Sequence, residues 1–204
     1  MTTIATVDTL VVPDKIYLSI LITEKDTRGK VSVEELENRM NTKLISLGID
    51  TKKQLSLSDV ASNFKNYLLR KKDVLKNKAY TLLVFDAETA GKVMVGLESI
   101  EISNVQLDKT EYSKIEQLKI ELKQKAVSKA ITQAKFMLKP LNQNLGKAIF
   151  ISDSYSNYSR AQGNVSDIRI RGYSSKNEVQ YDPIAIEFEK IEIKSTITVN
   201  FEIE

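Results

Sequence analysis

The sequence predicts an α+β protein in which helices lie over a sheet. Two kinds of periodicity and the punctuation between them carry that reading. From Ser113 to Leu138 apolar residues recur every three or four positions, at Ile115, Leu118, Leu122, Ala126, Ala130, Ala134 and Met137, which marks one face of a helix. Elsewhere apolar and polar residues alternate strictly, as in Ile16, Leu18, Ile20 and Ile22, the period of a half-buried strand. Capping residues, Gly48 and Pro140 separate these stretches, as helix ends require.

Taken in order, Ile4–Val12 reads as a short extended segment ended by Pro13-Asp14, and KIYLSILITEK is the strand just described. The polar turn Asp26–Gly29 leads into a helix over 32–47. Val33, Leu36, Met40, Leu44 and Leu47 form its stripe, Ser32 with Glu35 its capping box, and Gly48 its left-handed stop. Two strands follow, over 55–69 and 78–85, joined by a turn near 71–77. Asp86 caps a short helix over 87–98 with Ala90, Val93, Met94 and Leu97 inward, although Gly91 and Gly96 weaken it.

Residues 104–112 read as a strand and lead into the long helix over 113–139, which opens on a Ser113–Glu116 capping box. Alanine alone occupies the middle of its apolar face, so the axis can approach a broad sheet closely, with Phe136 and Leu138 widening the contact at the far end. A turn over 141–146 and a brief strand, KAIFIS at 147–152, come next. In the last segment Ile184, Ile186 and Phe188 are apolar at even positions, whereas Ile191, Ile193, Ile197, Val199, Phe201 and Ile203 are apolar at odd ones. One residue of slip turns every side chain over, so a bulge or bend is predicted at Glu189-Lys190.

Composition narrows the function more by exclusion than by assignment. The 204 residues suffice for one large domain or two small ones. Histidine and cysteine are both absent, which removes Ser-His-Asp and Cys-His catalysis, histidine zinc sites, thiolate sites and disulfides. Thirty basic against 27 acidic residues leave a net charge of +3, too even a balance to mark a nucleic-acid binder. No stretch reaches the roughly 20 apolar residues of a membrane-spanning helix. MTTIATVDTL lacks the basic n-region and apolar core of a signal peptide. Two readings stay open: a cytoplasmic protein, or a mature chain headed by an added Met1.

Two stretches are candidate contact sites. Arg70, Lys71, Lys72, Lys76 and Lys78 crowd a hairpin tip against the single Asp73. Such a tip suits phosphate or anionic lipid, but solvated lysines that guard a strand edge explain it more simply. Residues 153–182 are rich in Ser, Asn, Tyr and Gly, and they carry Tyr155, Tyr158, Arg160, Arg169, Arg171 and Tyr173. Loops longer than about 15 residues are either functional or disordered, and disorder or an oligomer contact is favoured over a small-molecule site. Carboxylates cluster at Glu34, Glu35 and Glu37, at Asp108 and Glu111, and at Glu187 and Glu189. Basic neighbours make solvated charged faces the simpler reading, and no catalytic, metal-binding or cofactor-binding residue is assigned.

Several of these stretches together resemble the SIMPL domain, a domain of unknown function in bacterial periplasmic and outer-membrane-associated proteins. The likeness rests on Pro13-Asp14 before a strand, TEKDT at 23–27 and LISLGID at 44–50. LSLSDVAS at 55–62, the alanine-striped helix closing in LNQNLGKAIFISD, and the terminal STITVNFEI complete it. It runs from Ile4 to Glu204 and implies a single domain, with two main helices on a curved mixed or antiparallel sheet. The resemblance further implies export, a periplasmic or outer-membrane location and homo-oligomers, with no known catalytic residue, cofactor or metal. The family's glycine-rich T-V-x-G-x-G start is replaced here by TIATVDTLVV. The expected function is a non-enzymatic envelope protein that self-assembles as a scaffold, binding or stress-protective factor. Anionic lipid or polymer binding at 70–78 is the alternative.

Overall fold

A computed structural model describes residues 1–24, 28, 30–62, 76–154 and 187–204. The α+β class holds. Among these residues seven strands form two antiparallel sheets, neither closed into a barrel, and four helices accompany them. The chain divides into two compact units, and Pro13 begins the passage from one to the other.

The first unit holds β1 (Thr2–Val11), α4 (Ile115–Leu138), β6 (Leu145–Ser154) and β7 (Ile191–Ile203), with strand order β1-β7-β6. β1 and β7 run antiparallel without a slip from Thr2 opposite Asn200 to Val11 opposite Ile191. One face of this sheet carries Ala5, Ile197, Val199 and Phe201, and these pack with Ala126, Ala130 and Ala134 of α4. The alanine stripe is fully buried, as its small side chains require for a close helix-to-sheet approach.

Two details of α4 differ from expectation. The helix begins at Ile115 with Lys114 as its N-cap residue, whose side chain makes no capping hydrogen bond. A lysine has no acceptor to offer the first amides, and Glu116 instead accepts from Lys119 at 2.6 Å. At the far end Leu138 is buried, whereas Phe136 and Met137 are 70% and 49% exposed. The buried residues Leu122, Ala126, Ala130, Ala134 and Leu138 step by four throughout. The helix therefore uses an i+4 ridge, and a step of three to Met137 leaves that ridge.

The second unit holds β2 (Lys15–Thr23), α1 (Val33–Ser46), α2 (Thr51–Gln54), β3 (Leu55–Ser62), β4 (Lys76–Val84), α3 (Ala87–Glu98) and β5 (Val105–Glu111), with strand order β3-β4-β2-β5. Ile16, Leu18, Ile20 and Ile22 of β2 meet Tyr80, Leu82 and Val84 of β4 on the inner face. Val33, Leu36, Met40 and Leu44 of α1 cover them, together with Ala90, Val93 and Leu97 of α3. Ser32 caps α1 by accepting from the Glu35 amide at 3.2 Å. Gly48 closes that helix at φ +82°, a conformation that a Cβ disfavours.

Gly96 does not break α3. A Cβ there would lie 3.0 Å from Lys43 Cε and 3.1 Å from Leu47 Cδ1, so the small residue lets α3 pack against α1. The one-turn α2 was not expected from the sequence; Asp50 caps it through the Lys52 amide.

The phase change near the C-terminus has a structural meaning. Residues 187–190 form no strand, β7 starts at Ile191, and Phe188 belongs to the second unit's core while Ile197, Val199 and Phe201 belong to the first's. The predicted break at Glu189-Lys190 falls where the chain leaves one core for the other.

Candidate functional site

Lys76 and Lys78 continue the inward parity of Tyr80, Leu82 and Val84 along β4. Beyond the apolar core that same face meets the first turns of α1, where Glu34 and Glu37 lie three residues apart. Lys76 Nζ donates to Glu34 Oε1 at 3.0 Å and Lys78 Nζ to Glu37 Oε2 at 2.5 Å. Glu24 joins the group by accepting the Lys76 amide at 3.0 Å and the Val33 amide at 3.3 Å. A basic hairpin base is thus tied to a helix by carboxylates.

Electrostatics follow from this geometry. The Lys78 hydrogen bond holds the Glu37 carboxyl below the usual carboxylate range, and a hydrogen bond from its own amide, then that from Lys76, does the same for Glu34. Burial first, and then the neighbouring Glu37 carboxylate, push the Tyr80 hydroxyl well above its ordinary value. These carboxylates are therefore ionised partners of lysines, and an incoming anion would have to displace them. Arg70, Lys71 and Lys72 lie outside the described residues, as do Tyr155, Tyr158, Arg160, Arg169, Arg171 and Tyr173.

An acid titration tests the pairing. Folded carboxyls held below their unfolded value of about 4.3 stabilise the fold above that pH and lose the contribution as pH falls through the lower folded values. Glu37→Gln is expected to flatten the acid limb of a stability profile between about pH 5 and about pH 2. At neutral pH it should cost less than about 1 kcal/mol, because water reaches both partners. An unchanged acid limb, measured by urea unfolding at each pH, would contradict the assignment.

A second cluster gathers around Glu111, a carboxylate singled out in sequence whose partner Tyr17 was not. Tyr17 donates from its hydroxyl to Glu111 Oε2 at 3.1 Å, Lys109 Nζ donates to Glu111 Oε1 at 2.6 Å, and the same ammonium stands 4.5 Å from the Tyr17 ring centroid. The hydrogen bond from Lys109 holds Glu111 below the usual carboxylate range. Tyr17 and Glu111 are 94 residues apart in sequence, and only the β2–β5 pairing joins them. Asp108 is the residue skipped where the β2–β5 register shifts between Tyr17–Lys109 and Leu18–Leu107. Among the described residues no three carboxylates gather closely enough to hold a metal ion.

The third feature is apolar. β6 is an edge strand among the described residues, and Ile149, Phe150 and Ile151 are 63%, 53% and 56% exposed. An apolar run on an unpaired edge is what monomeric proteins avoid.

Helix-covered antiparallel sheets with lysine–carboxylate clusters define the class as an α+β protein. A family model described as SIMPL, a protein of unknown function (DUF541), matches residues 1–201. The chain belongs to the SIMPL family. No curated protein matches it. No described helix is long and apolar enough to cross a membrane.

Proposed function

We propose that this SIMPL-family chain is a non-enzymatic cell-envelope protein that assembles with itself and serves as a scaffold, binding or stress-protective factor. The observation that carries the assembly is the exposed Ile149-Phe150-Ile151 run on the β6 edge. Water contact with three adjacent large apolar residues is costly, and each fully buried side chain recovers about 1.5–3 kcal/mol. The non-enzymatic reading is supported by the absence of histidine and cysteine and by carboxylates committed to lysines. The envelope location is an inference from family resemblance.

The alternative, an anionic lipid or polymer site at 70–78, is not favoured, because Lys76 and Lys78 already have carboxylate partners. Size-exclusion chromatography with light scattering tests assembly. Species larger than one chain, growing with concentration, are expected; a strict monomer at high concentration would refute it. Cell fractionation tests the location, and recovery only with cytoplasmic markers would overturn that part.

A further inference from the structure

Hydrogen bonding to β7 uses one side of β6, and no other described strand pairs along its far side. After Leu145-Gly146 the strand sets an apolar centre between opposite charges: Lys147 comes first, Ala148 to Ile151 follow, and Asp153 stands near the end. All these residues from Lys147 to Ile151 are exposed. Ser154 ends the strand.

This order is complementary to itself only when reversed. Two such strands laid parallel would set Lys147 beside Lys147 and Asp153 beside Asp153, and like charges side by side repel. Laid antiparallel, each strand brings its lysine end to the other's aspartate end and its apolar centre to the other's apolar centre. Asp153 keeps its partner on α4, Lys123, at 2.5 Å, so a second lysine would extend an existing ion pair.

We infer that β6 pairs antiparallel with β6 of a second copy of this chain, joining two three-stranded sheets across a two-fold axis near Ile149-Phe150. This inference rests on the self-assembly proposed above and names its surface. The register between β6 and β7 slips between Leu145 and Ala148 and again between Ala148 and Phe150. Such irregularities bend an edge and blunt it against pairing, which limits the contact to one short pair of strands. A two-fold pair satisfies each edge once and closes. The occupant is therefore a single second copy rather than a growing ladder.

The chain has no cysteine, so Phe150→Cys places one thiol per chain beside the proposed axis. Mild oxidation of that variant is expected to trap a covalent dimer at least about tenfold faster than Lys135→Cys, an exposed control on α4. Ile151→Lys sets a charge in the paired edge and is expected to shift light scattering towards the monomer while the circular dichroism stays unchanged. A wild type that is monomeric throughout would sink this inference and the assembly reading together. Larger wild-type species that Phe150→Cys does not trap, or that a folded Ile151→Lys retains, would overturn the β6 pairing and leave assembly standing. A monomer whose 147–153 amides become protected only on adding anionic phospholipid vesicles would replace the second copy with a lipid surface and overturn the inference.

Discussion

Leu18→Ala is expected to lower the stability of the second unit by about 2–5 kcal/mol, the range for deleting a fully buried leucine side chain. Leu18 has no exposed surface. It lies opposite Leu82 on β4 and Leu107 on β5, in an interior strand of the four-stranded sheet. Leu82 cannot close a cavity without moving a backbone that is hydrogen-bonded on both sides. The transfer and cavity terms should therefore both appear. Leu21 provides the control: it faces the other side of the same strand and is 39% exposed, so its truncation should cost less than about 1 kcal/mol. Denaturant midpoints at constant slope measure both. Equal losses for the two variants would mean that the period-two burial of β2 is wrong.

Ala130→Leu is expected to destabilise the first unit by about 1–3 kcal/mol, through overpacking rather than a cavity. Ala130 is fully buried at the middle of the alanine stripe, with Ala126 and Ala134 one turn to either side. The facing residues Ile197, Val199 and Phe201 are large and lie on β7, which has a strand on each side. Three more carbons would push α4 off the sheet or force strained rotamers. Phe136→Leu, at a 70% exposed position, should leave the thermal midpoint nearly unchanged. A stable Ala130→Leu protein would mean that the stripe packs loosely.

Local pattern made much of this legible. Alternation at Ile16–Ile22, the Ser32 cap with Gly48, and the Asp86 cap each carried their own physical reason and led to β2, α1 and α3. The Ser113–Glu116 box set the start of α4 one residue early, since the helix begins at Ile115 after Lys114. Met137 and Phe136 misled for another reason. A helix has apolar residues available at steps of three and four, and the shape of the surface beneath decides which ridge is buried.

The charged candidates divide along the same line. Composition alone could show that lysines crowd 70–78, but not that Lys76 and Lys78 would find Glu34 and Glu37 waiting about 40 residues upstream. Glu111 stood out in sequence as a carboxylate with basic neighbours, but its link to Tyr17 left no signal, since no local spacing encodes a pairing of distant strands.

By itself, the sequence determined the α+β class, the parity of the strands, the all-alanine packing face and the break before Ile191, because side-chain period and steric size act locally. It also removed histidine and cysteine chemistry outright. Tertiary structure alone decided that, among the described residues, the strands divide into two sheets, β6 stands at an edge and the lysines of β4 are paired. Those outcomes depend on which distant backbones hydrogen-bond to one another, and that choice is made by the cooperative burial of both cores rather than by any single segment.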